Sequence, residues 1–311
     1  MSQGQNKHII CPQKLVEMFE NIGWNYAILV FRNLITTGTR NSTNWLAASF
    51  LLFAIVVLPA HATIGVTNQM LIGNPSNATS DTNNHNHYLI QRTVEAIDYS
   101  DNLREPNWAS WDLTAGDVGS SGRSSNFYQD SSLPAGFYQV KPTDYSGSGY
   151  DRGHMCPSAD RTDNTTDNDM VFLMSNIIPQ SPDNNQGVWN NLENDCRTIA
   201  QTGNELLITC GPSGFGTNRI NTLGLVYIAS NTWKIVVVVT NGAGTVLSRI
   251  NTSTRVIAVK IPNIAGIRSA PWTSTIVWSV PKSVSRVRTS EPANNASVNH
   301  PASKRPVGKK I

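Results

Sequence analysis

Between Ser181 and Gly203 the chain carries the segment whose spacing most firmly demands a helix. Ser181-Pro182-Asp183 offers a cap followed by proline at the first helical position, where its missing N–H costs nothing. Val188, Leu192, Cys196 and Ile199 then recur at helical spacing until Gly203, a residue suited to the turn that ends a helix. Just upstream, Met170 to Ile178 ("MVFLMSNII") has the length of a buried strand and stops at Pro179. Downstream, "ELLITC", "LGLVYIAS", "WKIVVVVT" and "RVIAVKI" read as four strands, with an Asn241-Gly242 turn among them. From Tyr88, "YLIQRTVEAIDYS" reads as another strand, and residues 112–150, rich in Gly, Ser, Asp and Tyr, read as loops with short strands. Helices are few, so the predicted fold class is α+β, mostly antiparallel sheet.

The two ends of the 311-residue chain read differently from this middle. Trp45 to Leu58 ("WLAASFLLFAIVVL") is continuously apolar but shorter than the roughly 20 residues a membrane-spanning helix needs. Arg32 and Arg40 precede it, and Pro59 and the small-x-small pattern Ala60-His61-Ala62 follow. The expectation is a leader and signal peptide over residues 1–62, cleaved after Ala62, and a secreted or periplasmic product with no stable membrane association. An uncleaved anchor is the competing reading. Residues 63–87 read as a polar linker, in which His85 and His87 are solvated residues rather than a metal pair. At the other end, Lys282, Arg286, Arg288, Lys304, Arg305, Lys309 and Lys310 face one acid, Glu291, so residues 282–311 read as a basic, disordered tail. A net charge of +3 is too small by itself to imply a nucleic-acid partner. Setting aside Cys11 in the leader, an oxidising compartment favours one disulfide and one odd thiol among Cys156, Cys196 and Cys210. Cys196 on the apolar helix face and Cys210 at the end of "ELLITC" are the expected pair. The absence of CxxC and HxxxH spacings argues against a structural zinc site.

Two clusters concentrate the chemistry. Asp151 to Thr162, "DRGHMCPSADRT", packs a histidine, two arginines, two aspartates and a cysteine into twelve residues. Asn176 to Glu193, "NIIPQSPDNNQGVWNNLE", follows it. A four-residue string such as "DRGH" is weak evidence alone. Together the clusters resemble the DNA/RNA non-specific endonucleases of the ββα-metal superfamily, which share "DRGH", then "N-x-x-P-Q", then a helix opening "N-Q-G-x-W-x-x-L-E". The resemblance runs from about Tyr88 to about Trp272 and gives an endonuclease domain over residues 88–281. It implies a histidine at a strand end, a metal-binding asparagine on the following helix, DNA and RNA as substrates, and a magnesium cofactor that manganese can replace.

Phosphodiester hydrolysis needs an activated water, positive charge over the phosphoryl oxygens and help for the departing oxygen. His154 is the natural water activator, because an ordinary imidazole is mostly neutral at pH 7. By resemblance Asn185 supplies the direct protein ligand to magnesium, an ion that keeps most of its waters. Glu193, two helical turns on, is then placed to hold those waters. Arg123, in "GRSSNFYQDSSLP", stands where the family has a phosphate-facing arginine, and Arg152 lies inside the motif. Asn176 and Gln180 occupy family positions that support the metal helix or touch substrate, while Asp151 orients the strand end outside the catalytic set. The family's acidic-then-TG segment near its end is missing from "STIVWSVPKSVSRVRTSEPANN". The alternative function is a catalytically inactive nucleic-acid-binding protein on the same fold, which would be expected to lack His154 or Asn185. Neither an inhibitor protein nor an oligomeric state is legible.

Overall fold

A computed structural model of the protein describes residues 68–220, 225–251 and 253–273. Its strands are β1 (Tyr88–Gln91), β2 (Ala96–Ser100), β3 (Glu105–Leu113), β4 (Asp151–His154), β5 (Ile177–Gln180), β6 (Asn204–Ile220), β7 (Val226–Thr240) and β8 (Arg255–Pro262). Six of them form one antiparallel sheet in the order β1-β2-β3-β6-β7-β8, and β4 pairs with β5 in a separate antiparallel ribbon. The helices are α1 (Thr165–Met170), α2 (Asn190–Gln201) and the short α3 (Val246–Arg249). The class is α+β, with mostly antiparallel sheet.

Alternation along the strands divides the sheet into two faces. Ala109, Trp111 and Leu113 of β3, Leu206, Ile208 and Cys210 of β6, and Val236 and Val238 of β7 share one buried cluster with Val188, Trp189, Leu192, Cys196 and Ala200 of the helical segment. Leu207, Val237 and Val239 point the other way and pack with Val246. Ile178 of the ribbon joins the first cluster, so ribbon and helix lie on the same face of the sheet. That is the face on which both sequence clusters meet.

Several sequence expectations change. The run from Tyr88 forms two strands, because the N–H of Arg92 bonds the carbonyl of Glu95 (2.9 Å) and turns the chain back. β3, with its two buried tryptophans, had not been read as a strand. Within Met170–Ile178 only the end is extended. A 3-10 turn over Met174–Asn176 precedes β5, held by the Asn176 amide bonding Val171 and Cys156. Val226 to Ser230 of "LGLVYIAS" and the whole of "WKIVVVVT" belong to the single strand β7, since Asn231 and Thr232 between them stay in the ladder. Asn241-Gly242 is no tight hairpin, because β7 and β8 are joined by a longer loop that contains α3, capped by Thr245. The proposed linker is packed onto the fold from its first described residues: Met70 and Ala78 are buried. Ser76 donates to Asp98 (2.6 Å) and accepts from the Trp108 indole (2.8 Å), and His87 Nδ1 lies 2.9 Å from Asp98.

The expected disulfide is absent: Cys156, Cys196 and Cys210 are all free and buried. Cys210 directs its thiol to the Met155 carbonyl at 3.5 Å instead. Burial pushes the Cys196 thiol up to about 12 and the other two well above their ordinary range, so all three stay protonated. The leader, its apolar run and the basic tail lie outside the described residues.

Candidate active site

The helical segment starts as its sequence suggests. The Ser181 carbonyl accepts the first helical bond from the Asn185 N–H (2.8 Å), and Pro182 occupies the position that needs no donor. The first turns are not α-helical, however. Asn184–Trp189 is a widened, π-type stretch with a kink at Gly187 (φ −113°, ψ −109°), followed by regular α2. Such bulges recur at functional sites because they re-aim side chains without ending a helix. Gly187 is required there, since a Cβ would lie 2.4 Å from the Arg268 carbonyl oxygen.

The bulge separates two adjacent asparagines. Asn184 is fully buried, donates to Thr232 (3.2 Å) and the Pro262 carbonyl (2.8 Å), and accepts from Gln180 (2.6 Å). It bolts the turn to the sheet. Asn185 is only half-buried and donates its amide to Asp151 at 2.9 Å. A carboxylate accepts only, so the NH2 must face Asp151 and the Oδ1 must face away. Among the described residues that Oδ1 accepts no hydrogen bond. Asp151 also accepts from Gln186 (2.7 Å), so one carboxylate anchors the bulge to the end of β4.

Three residues along β4 stands His154, 8% exposed. Its Nε2 is buried and has no hydrogen-bond partner. Two rings flank it, Phe172 at 4.7 Å and Phe127 at 5.2 Å between centroids. Each ring also carries a guanidinium: Arg123 lies 4.8 Å from Phe172, and Arg152 lies 4.3 Å from Phe127. Burial, helped by the charges of Arg123 and then Arg152, lowers the His154 imidazole to about 3. The ring is neutral, while both arginines are exposed to solvent. Phe127 and Phe172 had no signal in the sequence, because their role is to hold three other side chains in register.

Glu193 lies on α2, buried against the sheet. Its carboxylate sits 3.4 Å from Lys234 Nζ, and burial, partly offset by that ammonium, raises it above the ordinary carboxylate value. Lys234 stands in the midst of "WKIVVVVT", a run whose strand pattern carries no sign of a role at the site. Arg123 is close enough to feel the Glu193 charge, which ties it to the same site.

The remaining sequence candidates stand behind the site. Asn176 is fully buried and spends its amide on backbone, accepting from Cys156 N–H (3.0 Å) and donating to the carbonyls of Cys156 (2.9 Å) and Val171 (2.8 Å). Gln180 is buried beneath Gly153, where a Cβ would fall 2.5 Å from the Gln180 Cβ. The glycine of "DRGH" therefore makes room for the glutamine of "PQ". The second half of the opening cluster is structural too: Arg161, 2% exposed, donates to the carbonyls of Val94 (2.7 Å) and Asp112 (2.8 Å).

Comparison with known proteins identifies the family. The sequence model of the family described as DNA/RNA non-specific endonuclease matches residues 72–281. A nuclease of Nostoc sp. is 45% identical over 198 residues, covering 64% of this chain and 71% of that protein. Mouse mitochondrial nuclease EXOG is 35% identical over 124 residues, 39% of this chain and 33% of its own length. Bovine mitochondrial endonuclease G is 34% identical over 126 residues, 40% of this chain and 42% of its own. The chain thus spans well under half of those two mitochondrial relatives. Among solved structures, an EndoG/EndoGI complex aligns with a TM-score of 0.50 at 24% identity, over 57% of this chain and 74% of that one, a likeness of fold. With a family match over two thirds of its length and this strand–strand–helix site, the chain belongs to the DNA/RNA non-specific endonucleases.

Proposed function

We propose that this endonuclease hydrolyses phosphodiester bonds in both DNA and RNA without sequence preference, with His154 as general base and magnesium held at Asn185. The observation that carries the reading is the buried, unpartnered Nε2 of His154, flanked by two arginines and borne on the strand whose Asp151 turns Asn185 outward. A neutral imidazole with a free ring nitrogen can accept the proton of an attacking water. Its basicity is depressed by burial and by two positive charges, and a phosphodiester anion on those arginines cancels part of that charge. Substrate binding therefore offsets the arginine share of that depression and makes His154 a stronger base in the complex than in the free protein. Arg123 and Arg152 hold the phosphoryl oxygens, and their charge persists at any working pH.

The site's donors fit a hard, hydrated cation: one outward amide oxygen and one buried carboxylate about two turns further along the same helical segment. Asn185 Oδ1 would bind the ion directly, and Glu193 would hold its waters. Magnesium there supplies positive charge beside the phosphoryl and departing oxygens, and manganese shares its preference for oxygen ligands. Groups that read only phosphate carry no sequence information, which accounts for non-specific cleavage.

Digestion of plasmid DNA and of RNA with magnesium, with manganese and with a chelator tests the reading. Both polymers should be cut at scattered positions with either metal and left intact with chelator. Binding without cleavage under all metal conditions would leave an inactive nucleic-acid-binding protein. We further propose export with cleavage after Ala62, supported by the apolar run and the Ala60-His61-Ala62 pattern. N-terminal sequencing of protein from medium or periplasm should begin at Thr63. Full-length protein in the membrane fraction would favour an anchor.

A further inference from the structure

A lysine is the least expected residue in the middle of a buried sheet face. Lys234 lies on β7, paired with Cys210 on one side and Val259 on the other, and is 1% exposed. Its neighbours along the same face, Val236 and Val238, are core residues. A bare ammonium there would lose its hydration at a cost of several kcal/mol. What faces it is specific. Glu193 Oε1 lies 3.4 Å away, the Trp189 ring 4.2 Å and the Trp111 ring 5.5 Å from Nζ. Trp111 is itself held by its indole N–H to Asp160 (3.1 Å), and Asp160 is paired to Arg197 (2.8 Å). The ammonium thus sits against two aromatic faces, that of Trp111 braced by Asp160, with a single carboxylate partner.

We propose that Lys234 is a positioning residue that acts through Glu193, setting the orientation of its carboxylate toward the hydrated metal. This rests on the reading of Glu193 given above. The argument is one of degrees of freedom. A glutamate on a helix has three rotatable bonds, and a group that must hold a metal's waters needs one fixed geometry. Lys234 engages one carboxylate oxygen from the sheet side, with its ammonium packed between Trp111 of β3 and Trp189 of the helical segment. The other oxygen is left for the metal's waters. Packing alone does not call for a lysine at this position, since a leucine or methionine of similar volume would fill the core more favourably.

Mn2+ binding to substrate-free protein, followed by loss of the free-ion EPR signal, separates the possibilities alongside magnesium titration of DNA cleavage. Three variants are compared with wild type: Glu193→Gln, Lys234→Met, and the two combined. Lys234→Met keeps the volume and removes the charge. It should weaken Mn2+ binding and raise the magnesium concentration for half-maximal rate by about 10-fold, with the KM for DNA unchanged. Adding Lys234→Met to Glu193→Gln should change neither quantity further. If Lys234→Met alone does not fold, the combined variant, which removes both buried charges, is compared with Glu193→Gln. The inference is overturned if Lys234→Met binds Mn2+ as wild type does, or if it weakens binding equally in the Glu193→Gln background. If Glu193→Gln itself leaves metal binding unchanged, the reading of Glu193 fails instead.

Discussion

At the scale of single residues, the site depends on which atom of a side chain is left over. Asn184 and Asn185 are chemically identical neighbours, yet one has its amide oxygen tied to Gln180 and the other has it facing outward. Asn185→Ala should therefore raise the magnesium requirement steeply, while Asn185→Asp should retain part of the activity because a carboxylate still coordinates. An unchanged magnesium titration for Asn185→Ala would move the metal elsewhere. His154→Ala should cost about 10²–10⁴-fold in cleavage rate with the fold intact, the usual price of losing a general base. Retention of more than a tenth of the rate would remove His154 from that role. The same burial has a stability consequence. Between an unfolded value of 6.5 and a folded value of about 3, the unfolded chain binds a proton at this residue and the native one does not. Stability is thus lost as pH falls through this window. His154→Gln should abolish that component, so that wild type loses roughly 1 kcal/mol relative to the variant between pH 7.5 and 5.5. Parallel urea titrations at the two pH values check it, and an identical pH dependence for both proteins would contradict the buried, neutral assignment.

At the scale of elements, the bulged start of the helix is what brings α2 and the strand bearing His154 together. Asp151 ties the bulge to β4 through Asn185 and Gln186, Asn184 ties it to β7 and β8, and Arg268 covers Gly187. A side chain at the kink has no room. Gly187→Ala should destabilise the protein by about 1–3 kcal/mol, as overpacking typically does, and should lower activity beyond what the loss of folded protein explains. Chemical denaturation with activity per folded molecule measures both. A variant with wild-type stability and rate would mean that the Arg268 segment yields without consequence.

For the molecule as a whole, burial replaces cross-linking. Three thiols lie in the core without a disulfide, and a segment that looked like a linker is fastened over the back of the sheet through Ser76, His87, Asp98 and Trp108. The core clusters on both sheet faces provide the stability that small secreted folds take from disulfides. Native protein should accordingly show no reaction with an aromatic disulfide reagent at these three cysteines until it is unfolded. Its Tm should be the same with and without reductant. A Tm that falls on reduction would restore a bridge.

Much of this was legible in the sequence for a physical reason: local periodicity and backbone chemistry act over a few residues. The Ser181-Pro182 start, the Val188–Leu192–Cys196 stripe, the β-branched runs and the α+β class belong to that kind, as do the two clusters whose residue types suit phosphodiester chemistry. Side-chain partners across long separations are not encoded locally. Nothing near Lys234 announces Glu193, 41 residues away, and nothing near Asp98 announces Ser76 or His87. Strand merging in β7, the turn at Arg92–Glu95 and the choice of thiols over a disulfide were likewise decided by what packs on each segment. Residue type set which chemistry was possible. The tertiary structure, by choosing which atoms are buried and which are already bonded, decided which of those residues remain free to perform it.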